Sequence, residues 1–327
     1  MEVSVIIPVY NAEAFVEKAV RSAHDLQEVK EIILIEDASP DGALEICQKL
    51  AKELHKVKLY RHHDLQNHGA GASRNLGIEK ANSEYIAFLD ADDFYLPHRF
   101  EKDRIVFESN KDIDGVYNAV GAFYYSEEAK ELYRNTTGTP DTISFSGEHL
   151  GKERFLTLLK GENGFIHLNG LTLKKNSLFE NAKIVFDSSL RLTQDTDFVL
   201  RLAWYLKLQA SELVQNVAQR GIHQQNRCTD IDSIWLASQV LYENLEKELF
   251  LNSARPHEKV FLRQLIDAYK IHQESHSFSK RTLSLIAFFL KDPSFIKESI
   301  IRNTAIKTWL GLGYVGKFVT KFKRSFS

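Results

Sequence analysis

At 327 residues the chain can hold one large domain or two smaller ones, and 43% hydrophobic with 26% charged residues is ordinary for a globular protein. A formal net charge of −2 gives no global field to recruit nucleic acid, and two cysteines, Cys47 and Cys228, provide neither a disulfide framework nor zinc-ligand spacing. The start, MEVSVIIPVYN, lacks the features of a signal peptide, and the longest apolar run, 283–290, is far short of the roughly 20 residues of a spanning helix, so a cytoplasmic chain that does not cross a membrane is expected.

Val3–Val9, VSVIIPV, is a β-branched run suited to a buried parallel strand. Asn11 is placed to cap the helix that follows, where Ala12, Phe15, Val16, Ala19, Val20 and Ala23 recur at helical spacing. A second strand is expected over 31–35. Asp41 then opens a second helix with Leu44, Cys47, Leu50, Ala51 and Leu54 on one face, followed by a third strand over 57–60. Residues 69–81 read as a glycine-started helix and 85–89 as a fourth strand. This alternation predicts an α/β fold, with right-handed βαβ units, a mostly parallel sheet and helices on both faces. After about residue 110 the pattern changes. A long strand is expected over 115–125, a short one over 142–145, a strand with a glycine kink over 166–173, a helix over 193–206, and mainly helix from 230 to about 308.

Ligands of open α/β sheets bind beyond the carboxyl ends of the strands. There the sequence gathers Pro8, Tyr10 and Asn11; Glu36, Asp37, Ser39 and Asp41; Asn67, Gly69, Gly71 and Arg74; and Asp90, Asp92 and Asp93. Turns alone do not require three carboxylates in the four positions of DADD, where like charges raise the cost of ionising one another. Oxygen donors beside an arginine and a glycine-started helix suit Mg²⁺ or Mn²⁺ with a bound phosphate. Taken singly, each residue also has a structural reading: Asp37 and Asp41 as helix caps, Arg74 as a surface ion pair, DADD as a polar turn.

The blocks SVIIPVYN, IEDASPDG, NHGAGASRNLGIEKANSEYIAFLDADD and TQDTDFVLRLA resemble, in order and spacing, the inverting family 2 glycosyltransferases of bacteria, over about residues 3–230. The resemblance implies the GT-A fold. It implies that Pro8 and Tyr10 line a base pocket, that Asp37 hydrogen-bonds uracil, and that Asn67 and Arg74 contact the nucleotide. Asp90 and Asp92 match the DxD motif that binds Mn²⁺ or Mg²⁺, with Asp92 favoured as direct ligand and Asp93 supporting them. Asp195 matches the general base, although Gln194 replaces the usual glutamate before it. QRGIHQQNRCT resembles a further block whose histidine, here His223, reaches the diphosphate or the metal.

The function so implied is metal-dependent, inverting transfer of a hexose or N-acetylhexosamine from a UDP-sugar to a hydroxyl of a glycan or lipid-linked saccharide, in surface polysaccharide or lipopolysaccharide assembly. Alternatives are a catalytically degenerate nucleotide-sugar-binding protein, or a nucleotidyltransferase, which usually shows a glycine-rich basic loop after the first strand where this chain has PVYNAEAF. Residues 1–229 are expected to form the catalytic domain, with a nucleotide-sugar half over about 1–110 and an acceptor half over about 111–229, and 230–327 a helical region. In the acceptor half Tyr117, Asn118, Tyr124, Tyr125, His167 and Asn169 can either meet a sugar or sit on strand faces. Residues 299–327 carry six cations and no acid among many apolar residues. That tail suits a peripheral site on an anionic membrane surface, and equally a packed helix with solvated lysines at its end.

Overall fold

The first strand, β1 (Val3–Val9), is buried along its whole length. Val3, Val5, Ile7 and Val9 join the cluster containing Val16, Val20 and Leu50, whereas Ile6 turns to the other face, against Gly77. Burial on both faces is what a central parallel strand requires, and it explains the unbroken apolar run. In this computed structural model the described residues are 1–136, 139–147, 152–180, 183–224, 226, 231–250, 261–267, 270 and 286. They belong to two units, Met1–Tyr125 with Pro140–Ile222, and Ser126–Thr139 with His223–Ser327.

The elements after β1 are α1 (Val16–His24), β2 (Val29–Glu36), α2 (Ala43–Glu53), β3 (Val57–Arg61), α3 (Ala70–Lys80), β4 (Tyr85–Phe88), β5 (Phe94–Tyr95), α4 (Glu101–Ser109), β6 (Gly115–Tyr117) and β7 (Val120–Tyr124). Then come α5 (Glu127–Thr136) of the second unit, α6 (Lys152–Leu159), a 3-10 turn (Leu168–Gly170), β8 (Leu171–Lys174), α7 (Ser177–Glu180), α8 (Gln194–Tyr205), β9 (Leu208–Ala210) and β10 (Ala218–Ile222). The second unit also holds α9 (Ile231–Phe250) and helical residues 261–267. Among the described residues no helix is long and apolar enough to cross a membrane. Most of the expected helical region beyond 250, and the basic tail, lie outside them.

The first unit contains a seven-stranded sheet in the order β3-β2-β1-β4-β8-β6-β9 and a three-stranded sheet in the order β5-β10-β7. Strands β1 to β4 pair in parallel, as the βαβ pattern predicts. Strand β8 runs antiparallel between β4 and β6. It therefore begins beside the carboxyl end of β4, which brings the residues before 171 to the crevice where β1, β2 and β4 end.

Four local expectations change. Asn11 does not cap α1: it has a left-handed φ of 52°, its N–H donates to Ser39 Oγ at 2.7 Å, and the helix starts five residues later at Val16. The strand expected over 115–125 is two strands in different sheets. The break is Asn118, buried and pinned by bonds to Asp103 Oδ1 (2.9 Å), the Gly170 carbonyl (2.8 Å) and the Glu212 N–H (2.8 Å). Over 142–145 only isolated bridges form, Val120 with Ile143 and Phe145 with Gly164. Residues 166–173 become the 3-10 turn and then β8, because the His167 ring accepts the Asn169 N–H and closes a turn there.

Candidate active site

At the end of β2, Asp37 is 2% exposed. Its Oδ1 accepts the His68 N–H at 2.8 Å, and its Oδ2 accepts the Gly69 N–H at 2.8 Å and the Asn67 amide at 3.0 Å. One carboxylate thus shapes the turn that leads into α3, whose N-cap, Gly69, has φ 86°. The Asn67 Oδ1 accepts from Arg191 at 2.8 Å, a cation that the sequence blocks did not single out. Tyr10 is 39% exposed beyond β1, while Pro8 is enclosed within the strand opposite Ile35, so of the two expected base-pocket residues Tyr10 presents side-chain surface.

One turn along α3, Arg74 is 5% exposed and donates to Asp90 Oδ1 at 2.5 Å. Its guanidinium also lies 5.3 Å from the centre of the Phe186 ring, and its buried Nε has no hydrogen-bond partner among the described residues. Asp90 and Asp92 are partly exposed, whereas Asp93 is 5% exposed. Burial pushes the Asp93 carboxyl well above the ordinary range, with Asp92 and Asp90 adding to the effect, against hydrogen bonds from the Gly221 N–H (2.7 Å) and the Asn169 amide. Asn169 is fully buried: its Oδ1 accepts the Asp90 N–H at 3.3 Å, and its carbonyl accepts from the enclosed Arg99 at 2.9 Å. Strand β10 closes on the same loop. A Cβ on Gly221 would fall against the Asp92 carbonyl, far inside the 3.0 Å floor for such contacts, and 2.9 Å from Tyr125 Cε2.

Helix α8 reaches the end of β4 from a later stretch of the chain. Phe186 and Phe198 stack at 3.9 Å and both meet Phe88 of β4 edge-on, while the Asn75 amide bonds both the N–H and the C=O of Phe186 at 2.8 Å. This clamp lays the start of α8 on the start of α3, where the Gln194 amide oxygen fills the space a Cβ on Gly71 would take. Thr193 precedes the helix with φ 59°, a conformation a β-branched residue seldom adopts. Of the two acids in TQDTDF, Asp197 is 2% exposed and paired with Arg201, and Asp195 is the partly exposed one. His167 lies within electrostatic reach of Asp90, Asp195, Arg74 and Arg220. Burial pushes its ring down to about 4, with Asp90 and Asp195 pulling against it and Arg220 and Arg74 pushing the same way. The ring is therefore uncharged near neutrality.

Arg74 is thus paired with Asp90, both lie with Asp195 within electrostatic reach of His167, and Asp92 is partly exposed two residues beyond Asp90. His223 falls in the second unit, where its N–H donates to Asn226 Oδ1 at 2.6 Å. Tyr117, Asn118 and Asn169 are 2% exposed or less, so they are packing and positioning residues, not sugar-facing ones. Among the described residues, no three His, Cys, Asp or Glu side chains form a ready cage for a metal. That fits the way Mg²⁺ is held in phosphate sites, by one or two carboxylates plus substrate phosphate oxygens, and Asp90 and Asp92 supply donors of that type.

The model of glycosyl transferase family 2 matches residues 4–169. The uncharacterized glycosyltransferase EpsJ of Bacillus subtilis is 30% identical over 202 residues, 61% of this chain and 55% of EpsJ. The putative teichuronic acid biosynthesis glycosyltransferase TuaG of the same organism is 38% identical over 104 residues, 31% of this chain and 39% of TuaG. The chain therefore spans about half or less of these relatives. Among solved structures, residues 1–349 of S. aureus TarS in complex with UDP-GlcNAc superpose with a TM-score of 0.60 at 16% identity, over 94% of this chain and 89% of that one, which establishes a common GT-A fold.

Proposed function

The chain belongs to glycosyl transferase family 2, and we propose that it moves a hexose or N-acetylhexosamine from a UDP-sugar to a hydroxyl of a glycan or lipid-linked saccharide, with inversion, in surface polysaccharide or lipopolysaccharide synthesis. The observation that carries this reading is the Arg74–Asp90 pair at the end of β4, which lies, like the partly exposed acid Asp195 at the start of α8, within electrostatic reach of His167. Names of relatives point the same way: TuaG is assigned to teichuronic acid biosynthesis, and TarS has been crystallised with UDP and UDP-GlcNAc.

In the proposed mechanism Asp195 takes the proton of the acceptor hydroxyl as its oxygen attacks the anomeric carbon. The bond from that carbon to the UDP oxygen breaks on the opposite side, so one base suffices and the anomeric configuration inverts. General-base help of this kind contributes about 10²–10⁴-fold. Tyr10 supports the base, Asp37 holds Asn67 and the turn before α3, and Arg74 holds Asp90 while facing the diphosphate. Mn²⁺ or Mg²⁺ on Asp92 and Asp90 would supply Lewis-acid neutralisation of the leaving diphosphate. Residues 1–229 carry the reaction in this scheme, about 1–110 for the donor and 111–229 for the acceptor, and the basic tail of 230–327 meets an anionic membrane surface on the cytoplasmic side.

Incubation with a panel of UDP-sugars and Mn²⁺ or Mg²⁺, read as released UDP, tests the reading. Release from at least one sugar, silenced by chelator, is expected. UDP binding without release from any sugar or acceptor would favour the binding-only alternative, and incorporation of a nucleotide onto a sugar phosphate would favour the nucleotidyltransferase.

A further inference from the structure

The turn before β8 places one polar side chain in the crevice that no sequence block marks. Asn169 acts as its bracket. Through its side chain it holds Asp90 and Asp93, through its carbonyl it is held by Arg99, and through its own N–H it donates to His167 Nδ1 at 3.2 Å. With Nδ1 accepting, a neutral ring carries its proton on Nε2. Among the described residues Nε2–H has no hydrogen-bond partner, and it is not one of the buried polar atoms left unsatisfied, so it opens to solvent. The ring lies within electrostatic reach of the carboxylates of both Asp90, on the donor side of the proposed reaction, and Asp195, on its acceptor side.

We propose that His167 is a substrate contact, its Nε2–H donating to a hydroxyl oxygen of the sugar being transferred. This rests on the UDP-sugar reading above. A neutral donor suits a neutral oxygen, while the phosphate charges have Arg74 close by; charged donors bind anions about twice as strongly. A ring within reach of both the leaving-group side and the base is near where the sugar must lie for in-line attack. A donor fixed in one tautomer and covered by the bound sugar also discriminates: a sugar lacking that hydroxyl would leave the N–H unpaired.

The test compares UDP with UDP-glucose and UDP-N-acetylglucosamine by calorimetry in Mn²⁺, using the full chain and His167→Asn. Asparagine keeps an acceptor for the Asn169 N–H, so the turn and the melting temperature should be retained. The expected result is a roughly tenfold weaker Kd for the UDP-sugar that the wild type prefers, with UDP affinity within twofold. Monodeoxy versions of that donor should show one position at which wild type loses affinity and His167→Asn loses none further. Equal UDP-sugar affinity in variant and wild type would overturn the contact. So would a parallel loss of UDP affinity, which would move the histidine to the diphosphate. If the wild type binds neither UDP nor UDP-sugars, the nucleotide reading itself falls, and this contact with it.

Discussion

Replacing Gly221 by alanine tests the packing of β10 on the DADD loop. The added Cβ would lie about 1 Å inside the 3.0 Å floor against the Asp92 carbonyl oxygen, and 2.9 Å from Tyr125. The first neighbour is backbone and cannot rotate away, so the loop must move by about that much, carrying Asp92 with it and stretching the 2.7 Å bond from the Gly221 N–H to Asp93. Overpacking of this kind costs about 1–3 kcal/mol of stability, and a 1 Å misplacement of a catalytic group costs about 10²-fold in rate. UDP release from the best donor should therefore fall about 10²-fold, with a raised Mn²⁺ requirement, while circular dichroism still shows a folded protein. Wild-type turnover and metal dependence in a folded Gly221→Ala protein would refute the idea that this glycine sets the position of Asp92.

Asp195→Asn should lower turnover about 10²-fold or more with UDP affinity unchanged; calorimetry showing UDP binding lost would assign Asp195 to the nucleotide pocket. Asp92→Asn should remove most transfer and most of the Mn²⁺ dependence of UDP binding, and full activity of wild type in excess chelator would sink the metal assignment. Glu31 gives a pH signature away from the site: burial raises its pKa, but bonds from Lys58, Ser4 and Asn82 outweigh that and hold it down to about 2, against an ordinary 4.5. The stability it contributes is present above about pH 4.5 and is lost as pH falls towards 2. Glu31→Gln should cost about 2 kcal/mol at pH 7, allowing for the half-exposed Lys58, and the gap to wild type in urea midpoints should shrink to about half by pH 3 and nearly close at about pH 2.

Strands β1, β4 and most of β2 were legible because a parallel strand buried on both faces must be largely apolar and its helices must show one apolar stripe. The polar residues at their ends were legible for the complementary reason, since nothing in a turn demands DADD. What stayed hidden depends on partners distant in sequence. Two-residue β5 and five-residue β10, AQRGI, carry no alternating pattern and exist by pairing with each other and with β7. The roles of Asn169 and His167 follow from β8 lying antiparallel beside β4, a pairing no periodicity announces. Gly221 reads as an ordinary glycine until Asp92 is seen against it. Arg191 was missed for the same reason: its bond to Asn67 joins segments 124 positions apart.

The place of β8 in the sheet also orders the birth of the molecule. Asp93 depends on partners 76 and 128 residues later in the chain, Asn169 and Gly221. At about 5–20 residues per second of synthesis, the first of these follows some 4–15 s after Asp93 itself. During that interval β4 is the open edge of a four-stranded apolar sheet, with unpaired N–H and C=O groups along it. Its acidic loop then lacks every bond that later holds it from β8 and β10. A ribosome stalled after α4 would thus release a sticky fragment, and the loop of Asp90, Asp92 and Asp93 takes its final form only when residues as far on as Gly221 have been made.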